Sequence, residues 1–164
     1  MTDSPDLLVD SIAAHLLRRG ERVATAESCT GGLVAKLMTD LAGSSAWFER
    51  GVVSYSNDAK HDLLGVPRSV FDTEGAVSRA CALAMAEGLL RHSPAEWAVA
   101  ITGIAGPGGG TPGKPVGTVW MAWARRGAPT EVATAVFPGD RDAVRQQTAV
   151  AVLRTLEKRL ADAG

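Results

Sequence analysis

An α/β fold, with helices flanking a mixed sheet in three layers, is predicted by three features of this sequence. Short apolar or β-branched runs alternate with longer stretches of helical period. Glycines and capping residues mark most of the boundaries between them. Late in the chain two strand-like runs sit side by side around a turn, which adds antiparallel strands to the pattern. The 164 residues suffice for one core that buries about two-thirds of the unfolded surface, and no linker, repeat or second domain interrupts them. A single-domain α/β/α sandwich spanning residues 1–164 is therefore expected.

Each element has its own warrant. Pro5 to Arg19 repeats apolar side chains at Leu8, Ile12 and Leu16 and stops at Gly20, which reads as an amphipathic helix. Val23 to Ala26 is a short strand, and a helix follows from Leu33 to Leu41. Gly51 to Tyr55 is a second strand, after which Ser56 or Asn57 starts a short helix ending near Gly65. Ser78 caps a helix reaching about Arg91, with Cys81, Met85, Leu89 and Leu90 along one side. Glu96 to Thr102 is a buried strand leading into the glycine-rich loop Gly103 to Pro115. Gly117 to Ala124 and Thr130 to Phe137 form a hairpin around Arg126-Gly127-Ala128-Pro129. Asp140 caps a last, long helix with the stripe Ala149, Val152, Leu153, Leu156 and Leu160.

Composition excludes several classes of function. A net charge of −1 leaves no electrostatic footprint for nucleic acid or an anionic membrane surface. No apolar run approaches the roughly 20 residues of a spanning helix. Two cysteines without a CxxC pair, and no signal peptide, point to a reducing, cytoplasmic setting. His15, His61 and His92 never fall at metal-ligand spacing, so no metal site is expected.

Chemistry concentrates where strands end and helices begin. In Thr25-Ala26-Glu27-Ser28-Cys29-Thr30-Gly31-Gly32 an apolar strand stops at a hydroxyl, and two glycines open a helix. A hydroxyl there is expected near free N–H groups at a helix N-terminus, which suits an alkoxide or an oxyanion. The alternative is that Ser28 or Thr30 only caps the helix. Cys29 competes as nucleophile, because a thiolate at a helix N-terminus is activated; it lacks a placed histidine, which favours a small buried side chain. Lys60 falls in the first turn of its helix, where a cation is disfavoured. It either points away into solvent or has a destabilised ammonium form, competent as a base. Tyr55, just before that turn, is a packed aromatic or a proton relay. His61 points about 100° away from Lys60, and Cys81 belongs to the core.

Arg141 and Arg145 lie four apart behind Asp140 and share a helix face, which reads as a phosphate grip or as a compensated surface. Gly108, Gly113 and Lys114 match the spacing GxxxxGK, but Pro115 replaces the magnesium-holding hydroxyl and a β-like segment follows. A P-loop is thus not expected. Thr102 and the Gly103 to Gly106 backbone are better read as contacting a ligand, under a glycine-rich lip. Trp47 and Phe48 are candidates for packing or for a subunit contact.

TAESCTGG, GVVSYSNDAK, EGAVS (Glu74 to Ser78), TGIAGP, KPVGTV and GDR (Gly139 to Arg141) occur in the order seen in the CinA C-terminal domain family. The chain resembles that family from about Leu8 to Leu160. The resemblance implies a nicotinamide-nucleotide amidase, which converts nicotinamide mononucleotide to nicotinate mononucleotide and ammonia. It implies Ser28 as nucleophile, Lys60 as base, Tyr55 as support, and Thr102 and Arg141 on the substrate, with Arg145 added from helix geometry. Thr30, Gly31, Gly32, Asn57, Gly103, Ala105 and Gly106 complete the expected substrate-binding set. No metal or cofactor is required, the partner is the small-molecule substrate, and a homo-oligomer is expected. The competing possibility is a non-catalytic pyridine-nucleotide sensor or an accessory to DNA uptake and repair.

Overall fold

The computed structural model describes residues 4–163. Its helices are α1 (Pro5–Arg19), α2 (Leu33–Thr39), α3 (Asn57–Leu64), α4 (Arg68–Thr73), α5 (Arg79–Arg91) and α6 (Arg141–Asp162). Its strands are β1 (Val23–Glu27), β2 (Phe48–Val53), β3 (Trp97–Gly103), β4 (Thr118–Arg125) and β5 (Glu131–Val136). They form one five-stranded sheet in the order β2-β1-β3-β4-β5. β1 runs parallel to β2 and β3, and β4 runs antiparallel to β3 and β5, so the sheet is mixed as expected.

Strand alternation sorts side chains by size between the two faces. Val23, Trp97, Val99, Ile101, Val119, Met121 and Trp123 form one core with Ile12 and Leu16 of α1, Met38 of α2 and Val152, Leu153 and Leu156 of α6. Ala24, Ala26, Ala98, Ala100, Ala122 and Ala124 face the other way, against Cys81, Met85, Ala86 and Leu89 of α5. Methyl-sized side chains bring the α5 layer close to the sheet. Burying each leucine or isoleucine of these cores is worth about 1.5–3 kcal/mol.

Caps set the ends of the helices that matter for the cleft. The Ser56, Ser78 and Asp140 side chains accept from the N–H of Ala59, Cys81 and Ala143 at the starts of α3, α5 and α6. α2 is different. Its N-cap is Gly32, at φ 102°, with no side-chain cap.

The sequence reading places the elements well and misses some ends. β2 begins at Phe48, earlier than Gly51, and α2 stops at Thr39. α4 is short, without a buried side chain, and so carries no apolar stripe to betray it. Trp47 is packing: it is buried in the core and meets the Phe48 ring edge-on.

Candidate active site

The C-terminal ends of β1 and β3 and the start of α6 converge on one cleft of about 270 Å³. Ser28, Cys29, Tyr55, Asn57, Lys60, Ala76, Val77, Thr102, Gly103, Ile104, Ala105, Gly106, Gly108, Gly109 and Arg141 line it. Two basic side chains, Lys60 and Arg141, and no carboxylate are in that lining, and Arg141, which keeps its charge, makes the cleft favour an anion.

Ser28 and Lys60 meet in its floor. Both are buried, and Lys60 Nζ lies 2.9 Å from Ser28 Oγ, from Ser54 O and from Tyr55 O. Carbonyls only accept, so two of these bonds must use N–H donors of the amine. The third has two forms. A charged lysine donates to Ser28 Oγ, whereas a neutral one receives the hydroxyl's proton on its lone pair. Burial disfavours the ammonium and lowers the Lys60 pKa, against opposing effects of Cys81 and Cys29. Ser56 capping α3 and the two carbonyls just before it therefore hold an amine that can serve as a base.

Cys29 is in a different state. Burial pushes its thiol up to about 11, so at neutral pH it carries its proton. Cys81 is fully buried, also pushed up to about 11 by burial, and belongs to the core under α5.

The expected helix-terminal oxyanion site is not available at α2. Glu27 is buried, and its carboxylate accepts from Val34 N at 3.0 Å and Ala35 N at 2.9 Å. Leu33 N donates to Thr30 O and Lys36 N to Gly32 O. The first turn is thus taken up by protein acceptors. Neither Ser28 nor Thr30 caps it; the Thr30 hydroxyl donates to Glu27 Oε1 at 2.6 Å.

Other expected site residues divide between the cleft and its supports. Tyr55, Asn57, Thr102, Gly103, Ala105, Gly106 and Arg141 line the cleft, while Thr30, Gly31, Gly32 and Arg145 do not. The Tyr55 hydroxyl accepts from Arg141 NH2 at 3.0 Å. Arg141 NH1 donates to Gly106 O at 2.7 Å. A guanidinium has five N–H donors, more than these two acceptors use. Arg145 NH2 instead donates to Thr30 O at 3.2 Å, behind the turn that carries Ser28. The Thr102 hydroxyl is buried and donates to Ala76 O at 2.8 Å, holding the Ala76–Val77 wall against β3. Lys114 donates to Glu74 O at 2.7 Å, which ties the glycine-rich lip to the end of α4, and β4 follows where a P-loop would need a helix. His61 Nδ1 bonds Val66 O and takes no part in the cleft.

Sequence reasoning assigns no role to Glu27 or to the Ala76–Val77 wall. Glu27 leaves one trace in the sequence: a carboxylate ends an apolar strand just before a helix that has no polar cap of its own. The wall lies within the motif EGAVS, whose spelling carries no role for it, because only the fold brings it into the cleft that holds Ser28.

The CinA C-terminal domain profile matches residues 6–160. Nicotinamide-nucleotide amidohydrolase PncC of Escherichia coli (strain K12) is 51% identical over 157 residues, covering 95% of each chain. A CinA-like protein of Anaeromyxobacter dehalogenans (strain 2CP-C) is 52% identical over 154 residues, 94% of this chain and 38% of that longer protein. The crystal structure of a competence/damage inducible protein from Agrobacterium tumefaciens superposes with a TM-score of 0.92 at 45% identity, covering 96% of this chain and 95% of that one. With the family profile, the sequence and the overall fold all matched along nearly its whole length, the chain belongs to the CinA C-terminal domain family.

Proposed function

We propose that this protein is a nicotinamide-nucleotide amidase, hydrolysing the carboxamide of nicotinamide mononucleotide to nicotinate mononucleotide and ammonia. The observation that carries the proposal is the buried Ser28–Lys60 pair, 2.9 Å apart on the floor of a cationic cleft. The name of the Escherichia coli relative supports the substrate. Arg141 at the rim would hold the phosphate, and Val77, Ile104 and Ala105 would flank the pyridine ring.

In the first half-reaction Lys60 Nζ takes the Ser28 proton as Oγ bonds to the carboxamide carbon. The tetrahedral intermediate collapses when the C–N bond breaks, and the proton on Nζ goes to the departing nitrogen as ammonia leaves. In the second, water gives a proton to Nζ and its oxygen attacks the acyl carbon. The ester bond then breaks, the proton on Nζ passes to Oγ, and the acid product leaves as the carboxylate, giving its remaining proton to solvent. Since α2 is capped by Glu27, donors to the oxyanion must come from other backbone, in the turn after Ser28 or across the cleft in Gly103 to Gly106. The scheme uses no metal or cofactor.

A homo-oligomer and a cytoplasmic setting belong to the same proposal. Among the described residues the outer edges of β2 and β5 have no partner strand, and both cysteines are free thiols. Among the described residues no helix is long and apolar enough to cross a membrane.

Ammonia release from nicotinamide mononucleotide by the purified protein, lost in Ser28→Ala, is the expected result. Tight binding of the nucleotide without turnover would favour the sensor reading instead.

A further inference from the structure

Glu27 and Ser28 are adjacent in the chain but do different things. Alternation along β1 turns Glu27 toward α2, on the face shared by Val23. Ser28 faces Lys60. The Glu27 carboxylate then reaches past the whole turn, to the hydroxyl of Thr30 and to the N–H groups of Val34 and Ala35. Its own carbonyl accepts from Ser54 N at 2.9 Å, and Ser54 is one of the residues whose carbonyl anchors Lys60 Nζ. Arg145 grips the turn from the other side through Thr30 O, and a Cβ on Gly31 would come within 3.3 Å of its NH2.

We propose that Glu27 is a positioning residue that sets the nucleophile against its base, with Arg145 as the second jaw of the same clamp. The physical reason is the shortness of the linkage. A serine has one side-chain torsion before its Oγ, so any shift of the 27–28 backbone passes directly to the attacking atom. Lys60 follows such a shift only in part: of the two carbonyls that hold its Nζ, one belongs to Ser54, which is bonded to the Glu27 backbone, while Tyr55 O supplies a second hold. Removing the carboxylate strands three donors: the Thr30 hydroxyl and the N–H groups of Val34 and Ala35. The turn would relax toward other acceptors and carry Ser28 Oγ away from hydrogen-bond distance. A displacement of about 1 Å at a reacting group is enough for roughly a 100-fold loss.

The inference rests on Ser28 being the nucleophile, so Ser28→Ala is assayed in parallel. Glu27→Ala should lower kcat for nicotinamide mononucleotide about 100-fold while KM stays within about threefold. Glu27→Gln should fall between it and wild type, because one amide oxygen still serves Thr30 and Val34 while the NH2 faces the N–H of Ala35. Thr30→Val, which removes one bond and keeps the shape, should cost kcat about fivefold or more and decides the matter if the Glu27 variants do not fold. Wild-type kcat in folded Glu27→Gln, or in Thr30→Val where the others fail, overturns the clamp. So does a loss that appears in KM alone. An active Ser28→Ala protein instead overturns the nucleophile assignment itself.

Discussion

At Ser28 the hydroxyl has a buried amine 2.9 Å away, whereas burial pushes the adjacent Cys29 thiol up to about 11. Ser28→Ala should therefore abolish ammonia release while nucleotide affinity, read by calorimetry, stays within a few-fold. Cys29→Ser should retain most of the activity, and the reverse pattern would exchange the two roles. Lys60 adds a pH signature. Its pKa is lowered by burial, and the base must be neutral, so kcat/KM should rise with pH through that lowered value. Between the lowered folded value and the ordinary lysine value, the unfolded chain binds the extra proton. Stability should thus rise with pH across that window, and this part of the slope should vanish in Lys60→Met. Denaturant midpoints measured against pH give the comparison. Arg141 tests substrate holding. A charge-assisted bond to phosphate is worth about 1.5–3 kcal/mol, so Arg141→Ala should cut kcat/KM on the mononucleotide on the order of 10- to 150-fold. It should matter far less for the riboside. Equal losses on both substrates would place the phosphate elsewhere.

Helices α3 and α5 matter to the cleft through one close approach. A Cβ on Gly88 of α5 would lie 1.8 Å from Leu64 O, at the end of the helix that carries Lys60. Backbone cannot yield as a side-chain tip can. Gly88→Ala should cost about 3 kcal/mol or more, read as a lowered denaturation midpoint at unchanged slope. Because α3 must shift to admit the methyl, kcat should fall as well. The same substitution at Gly113, where a Cβ meets nothing within 4 Å, is the control. If Gly88→Ala matches wild type in stability, the two helices are not packed as described. At α6 the Asp140 cap is ordinary in kind, worth about 1 kcal/mol, but it also orients the turn that presents Arg141.

At the scale of the whole molecule, the parallel half of the sheet builds the site and the antiparallel half completes the core. β1 and β3 run parallel and bring Ser28 and Thr102 to the same end of the sheet, and the antiparallel neighbour β4 returns the chain. Among the described residues no group of three His, Cys, Asp or Glu side chains is placed to hold a metal. In the proposed mechanism a serine–lysine pair carries the proton transfers, so turnover should survive a strong chelator unchanged. Loss of ammonia release in EDTA, restored by zinc or magnesium, would contradict the mechanism proposed above.

Periodicity and punctuation determined the order of helices and strands, because hydrophobic spacing and caps are local properties of the chain. Motif spelling likewise singled out Ser28, Lys60, Tyr55, Thr102 and Arg141 before any distance was known. What no spacing encodes is which of these side chains meet. Ser28 and Lys60 are 32 residues apart and touch only because β1 ends and α3 begins at the same end of the sheet. Arg141 and Arg145 share a helix face in sequence, yet one reaches the cleft and the other the back of the turn, as the position of α6 against α2 dictates. Most of all, the free helix terminus implied by the glycine pair is not free. The residue just before Ser28 reaches over it, and that closure depends on strand alternation and burial, which only the tertiary structure decides.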